Sequence, residues 1–141
     1  MKQLFKTIVC PIDLEAHMKS ALEMARQLAE QNAARVCLIH VVTPQLPGPI
    51  EPAPGWENKA QRKLDAIARE NFGDKVQWQA SIVKGEASSA IIRAAKQLGA
   101  DLIVMATHRY TGLNRVLLGS VTELVVRESP IPVLTLGPER N

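Results

Sequence analysis

Gly119-Ser120 opens a helix-patterned segment, and Arg109 and Arg115 lie shortly before it. A small residue followed by a hydroxyl at a helix start leaves backbone N–H groups and the positive end of the helix dipole facing outward. The two guanidinium groups add positive charge, so this stretch is a candidate anion site. Ser120-Val121-Thr122-Glu123 also matches the S-x-x-E capping box, in which the serine only satisfies helix N–H donors. Both roles are open on spacing alone. Asp13 closes the apolar run of residues 5–12, where a carboxylate either meets a ligand or caps the next helix. His108 is the acid/base side chain of the loop that follows Ala106-Thr107.

Other chemistries are poorly served. Cys10 and Cys37 sit inside apolar runs, with no C-x-x-C pair, and read as buried free thiols. His17, His40 and His108 are far apart and show no H-x-x-x-H spacing, so no metal site is expected. There is no Gly-Lys-Ser phosphate loop, no nucleophile elbow and no pair of carboxylates at one strand end. No catalytic residue is therefore assigned. A slow nucleotide hydrolase would have to work through His108 with a metal on Asp13. The 17 Lys and Arg against 14 Asp and Glu are scattered, and two Phe, two Trp and one Tyr offer little for base stacking. No nucleic acid partner is expected. The longest apolar stretches are strand-sized, which argues against a membrane span, and the opening residues carry no leader-like segment, so the expected compartment is the cytoplasm.

The elements that must position these residues follow from periodicity. Residues 5–12 read as a strand, and Ala21, Leu22, Ala25, Leu28 and Ala29 then recur with a helical period. Residues 36–42 are almost continuously apolar, as in a parallel strand covered on both faces. Pro44, Pro47, Pro49, Pro52 and Pro54, with Gly48 and Gly55, make a surface loop. Residues 56–71 form a second amphipathic helix closed by Gly73, and residues 76–83 alternate as an edge strand with one wetter face. Residues 86–98 give a third helix stopped at Gly99. Residues 101–106 are a buried strand, residues 118–128 a fourth helix with Val121, Leu124 and Val125 inward, and the last strand starts at Pro132 and ends at Leu136. The alternation defines a doubly wound, three-layer α/β/α sandwich with a mainly parallel five-stranded sheet, in one domain over residues 1–141. Ligands of such sheets bind outside the carboxyl ends of the strands.

The order of these segments, with Asp13 ending the first strand, Ile39-His40-Val41-Val42, Asp101-Leu102-Ile103-Val104-Met105, Gly119-Ser120-Val121-Thr122-Glu123 and the terminal Pro130-Ile131-Pro132-Val133, resembles the universal stress protein family over the whole chain. The resemblance implies strand order 3-2-1-4-5, the adenine nucleotide alpha hydrolase-like arrangement. It also implies a homodimer paired through the last strand. Asp13 and Val41 match positions at the adenine and ribose end, and the phosphates rest on a loop of pattern G-x2-G-x9-G-[ST]. The implied nucleotide set is Pro11, Asp13, Val41, Met105, Ala106, His108, Arg109, Gly119, Ser120 and Val121.

Gly119-Ser120 keeps the spacing of the loop's closing pair, while Ala106 and Arg109 replace its first two glycines. A glycine at 109 would allow close backbone approach or an unusual φ, whereas Arg109 either turns outward or offers a guanidinium to phosphate. Glu15 brings a carboxylate where many members carry a small hydroxyl residue, repulsive to phosphate unless turned away or metal-bridged. The expected function is a cytoplasmic stress-response homodimer that binds ATP, AMP or another adenine nucleotide, with or without Mg, as a regulatory ligand. The alternative is a dimeric interaction module with a vestigial pocket, which offers a partner Leu46, Ile50 and Trp56 around the proline-rich loop.

Overall fold

The computed structural model describes residues 3–14, 19–43, 54–107, 109–110, 116–117 and 119–137, with backbone alone at 109–110 and 116–117. The expectations placed on Glu15, His17, Leu46, Ile50, His108 and Arg115, and on most of the proline-rich stretch, lie outside these residues. In chain order the elements are β1 (Thr7–Pro11), α1 (Lys19–Asn32), β2 (Arg35–Val42), α2 (Trp56–Phe72), β3 (Gln77–Lys84), α3 (Ala87–Gln97), β4 (Leu102–Ala106), β5 (Arg109–Tyr110), β6 (Val116–Leu117), α4 (Ser120–Glu128) and β7 (Val133–Leu136). The main sheet runs β3-β2-β1-β4-β7 with every pairing parallel, so β7 is its fifth strand and the order is the expected 3-2-1-4-5.

Side-chain alternation sorts the core onto the two faces of the sheet. Ile8, Cys10, Val36, Leu38, Leu102 and Val104 pack with Leu22 and Ala25 of α1 and with Leu64, Ala68 and Phe72 of α2. Their neighbours Val9, Cys37, Ile39, Ile103 and Met105 pack on the other side with Ile91 and Ala95 of α3 and Val125 of α4. Burial on both faces explains why these strands read as continuous apolar runs rather than alternating ones. Among the described residues β3 pairs with β2 alone, and it is the edge strand its alternating sequence announced. Gly73 and Gly99 adopt φ of +53° and +69° just past α2 and α3, a backbone region costly for residues with a Cβ.

Asp101 ties the first strand to the fourth. One oxygen of its carboxylate accepts from the N–H groups of Lys6 at 2.8 Å and Thr7 at 3.0 Å, while the Asp101 N–H donates to the Thr7 carbonyl at 2.8 Å. Asp101→Ala leaves two N–H donors without that acceptor, and we expect a loss of about 1–3 kcal/mol in stability, read as a lowered Tm. Asp101→Asn, which keeps a carbonyl oxygen there, should recover most of it.

The short antiparallel pair β5–β6, with Arg109 opposite Leu117 and Tyr110 opposite Val116, has no counterpart in the periodicity reading. Strands of two residues are too short to carry a pattern.

Candidate functional site

The chain runs outward from β1 through β2 to β3, then crosses back to β4 on the other side of β1. The crossovers leave β1 and β4 in opposite directions, which opens a crevice at the carboxyl ends of these strands. A cavity of about 200 Å³ lies there. β1 and the residues after it contribute Pro11, Ile12 and Asp13; β2 contributes His40 and Val41; β4 contributes Met105 and Ala106. Ala21 of α1, Ala87 and Ile91 of α3, and Val121 and Thr122 of α4 complete the wall.

Apolar residues make most of this lining, and Asp13, His40 and Thr122 are its residues with polar side chains. That mixture suits a flat, largely apolar ring system with a few hydrogen-bonding groups at its edge. Six of the residues expected at a nucleotide site, Pro11, Asp13, Val41, Met105, Ala106 and Val121, therefore share one cavity. Gly119 and Ser120 sit at the amino end of α4, whose first turn supplies Val121 and Thr122 to the wall. Arg109 lies in the extended backbone of β5, and among the described residues Ala33 is the one non-glycine with positive φ. The left-handed conformation that would demand a glycine is thus not used at position 109.

Of the helices whose amino ends face this edge, α3 and α4 are capped differently. At α3 the Glu86 carboxylate accepts from the backbone N–H groups of Ser88 and Ser89 at 3.3 and 3.1 Å, and from the Ser89 hydroxyl at 2.7 Å. The helix start is thereby filled by the chain's own anion. These hydrogen bonds, those from Ser89 foremost, hold Glu86 below the ordinary glutamate range.

At α4 the cap residue is Gly119, with φ −63° and ψ 155° and no side-chain cap bond. This corrects the capping-box expectation. Ser120 is already the first helical residue, one position too late to cap, and the Glu123 carboxylate turns away to Arg127 at 2.7 Å. A helix start without a side-chain acceptor is the better receptor for an external anion.

The Glu86 cap has a measurable consequence. Its folded pKa is lowered, so the native state holds fewer protons than the unfolded chain, and the cap contributes fully above the unfolded value of 4.5. The contribution is lost as pH falls through the folded value. Glu86→Ala should lower Tm at neutral pH, and its gap from wild type should close as the pH is taken below 4.5. A gap that stays constant with pH would show that the carboxylate does not cap α3.

Burial pushes the Cys10 thiol up to about 12 and raises Cys37 as well, partly offset by the Arg35 guanidinium. Both thiols are free and buried, as their strand positions indicated. Among the described residues no group of three or more His, Cys, Asp or Glu is arranged to hold a metal, and no helix is long and apolar enough to cross a membrane.

Sequence reasoning missed Ile12, Ala21, His40, Ala87, Ile91 and Thr122 as wall residues. His40 and Thr122 each adjoin an expected site residue, but adjacency in sequence does not say whether both neighbours at a strand or helix end reach one cavity.

A doubly wound parallel sheet with a largely apolar cavity at its switch point, beside a helix start that has no side-chain cap, defines an α/β sandwich with a candidate ligand site. Residues 4–136 match the family model described as the universal stress protein family, and the chain belongs to that family. It is 33% identical to the universal stress protein MJ0531 of Methanocaldococcus jannaschii, over 96% of this chain and 84% of that relative. A universal stress family protein of Burkholderia pseudomallei superposes with a TM-score of 0.75 at 25% identity, covering 96% of this chain and 98% of the other. A universal stress protein solved in complex with cAMP gives a TM-score of 0.69 at 25% identity, over 96% and 99% of the two chains.

Proposed function

We propose that the protein is a stress-response protein of a single domain that binds an adenine nucleotide, AMP or ATP, as a regulatory ligand. The observation that carries the reading is the placement of the apolar cavity against the first turn of α4, whose amino end has no side-chain cap. In this reading the adenine lies between the strand ends near Val41 and Met105. Asp13 takes the ribose hydroxyls, and the phosphates meet the backbone N–H groups of Ser120 and Val121. The related protein solved with cAMP supports a ligand of this class. The cytoplasm is the compartment assigned to it, and a homodimer paired through the edge strand β7 is the assembly. The partial exposure of every β7 residue supports that pairing. Sedimentation equilibrium should return twice the monomer mass.

Thermal unfolding with millimolar ATP, ADP, AMP or cyclic AMP, each with and without Mg, tests the ligand. A ligand bound only by the folded state at a thousandfold excess over Kd adds about 4 kcal/mol, so at least one nucleotide should raise Tm by several degrees. No rise with any of them would contradict the reading.

A second reading, an interaction module with a vestigial pocket, is favoured by the cavity's size. About 200 Å³ is below the roughly 300–1,000 Å³ usual for small-molecule sites. Arg109→Gly separates the two. Binding that emerges only in the variant favours the vestigial pocket, and binding that weakens makes Arg109 a phosphate ligand.

A further inference from the structure

Ile12, the residue before Asp13, has both backbone groups held by β2. Its N–H donates to the Ile39 carbonyl at 2.9 Å, and its carbonyl accepts from His40 Nδ1 at 3.0 Å. A carbonyl oxygen has no hydrogen to give, so Nδ1 is the donor and the neutral ring is held in its Nδ1–H form. The link also persists in the imidazolium, where Nδ1 keeps its hydrogen. The two hydrogen bonds differ in kind, because almost any residue at 12 would make the first and only the His40 side chain makes the second.

The peptide that follows Ile12 is planar, and its plane contains the Ile12 carbonyl together with the nitrogen and Cα of Asp13. Fixing the direction of that carbonyl therefore fixes the Cα from which the Asp13 side chain departs. His40, Ile12 and Asp13 all line the same cavity, so the hydrogen bond lies in the wall that it orders. β1 ends at Pro11, and Asp13 stands two residues beyond the strand.

We propose that His40 is the positioning residue of this site. Through Nδ1 it orients the Ile12–Asp13 peptide, directs the Asp13 carboxylate at the ligand's sugar, and so sets the preference for a ribonucleotide over its 2′-deoxy analogue. The proposal rests on the nucleotide reading above and on Asp13 as the sugar contact.

Calorimetric titration of the full chain with AMP and dAMP tests it in wild type, His40→Leu, His40→Asn, Asp13→Asn and the Asp13→Asn/His40→Leu double variant. Wild type should prefer AMP by about tenfold, the worth of one hydrogen bond to a carboxylate. His40→Leu should bring the ratio near one. His40→Asn, whose amide N–H can stand where Nδ1–H stood, should restore most of it. In the Asp13→Asn background His40→Leu should leave the ratio unchanged, a coupling that a merely structural histidine would not show.

Nitrogen NMR of His40 in the unsubstituted protein reads the link directly and does not depend on any variant folding. The Nδ1–H tautomer is expected, and the Nε2–H tautomer overturns the proposal. Wild type that binds neither ligand overturns the nucleotide reading and the proposal together. Equal wild-type affinities, or a ratio that His40→Leu leaves in place, overturn the proposal alone.

Discussion

Gly119→Asp should make the protein more stable and a poorer nucleotide binder at once. An Asp at the cap of α4 would do there what Glu86 does at α3, accepting from the first-turn N–H groups. A Cβ at position 119 meets nothing within 4 Å, and φ of −63° is an ordinary value, so the substitution introduces no strain. The gain from cap and dipole together is about 0.5–1 kcal/mol.

The same carboxylate would occupy the donors assigned to phosphate and place like charge within a few ångströms of it. At an effective dielectric of about 20 this repulsion approaches 4 kcal/mol, and with partial screening the affinity for AMP should fall about 100-fold. Adenosine, which has no phosphate, should bind as it does to wild type. Gly119→Ser, which caps without charge, should lose less than tenfold. Equal binding of AMP by wild type and Gly119→Asp would remove the phosphates from α4.

Phe72→Ala carries the largest stability effect. Phe72 is 1% exposed and lies at the end of α2, against the core between that helix and the sheet. Removing its ring should cost about 3–5 kcal/mol. For a domain of this size that is about 10–20 °C in Tm. Because α2 ends where β3 begins, Phe72 belongs to the amino-terminal edge of the parallel sheet, opposite the cavity. The increment in Tm given by nucleotide should therefore survive in the variant. If it vanished with the ring, the ligand would be binding on the α2 side or the two edges would be coupled.

Apolar periodicity carried the fold because burial on both faces leaves its mark on every strand and helix of the core. Residues 36–42 and 101–106 read as covered strands, and they are the strands whose side chains fill both halves of the core. Boundaries moved by one or two residues, as at α4, which begins at Ser120 with Gly119 as its cap. That small shift decided the chemistry. A capping box is a statement about one residue's register, and with Gly119 at the cap the serine hydroxyl is misplaced and the helix start has no side-chain cap.

The strand-end residues Pro11, Asp13, Val41, Met105 and Ala106 were legible because the resemblance aligned them with a site. His40 was not, since its role comes from a hydrogen bond to Ile12, 28 positions away, which no local pattern encodes. The β5–β6 pair was invisible for a different reason. Its strands are held by backbone ladder bonds, and two residues cannot alternate.

Whether an adenine nucleotide occupies the cavity at the strand ends is read most directly by NMR titration of 15N-labelled protein with AMP. The amides of Asp13, Val41, Ala106, Ser120 and Val121 should shift together and saturate with one Kd, while those of α2 remain still. Absence of any shift at millimolar AMP, or shifts confined to surfaces away from these strand ends, would contradict the account.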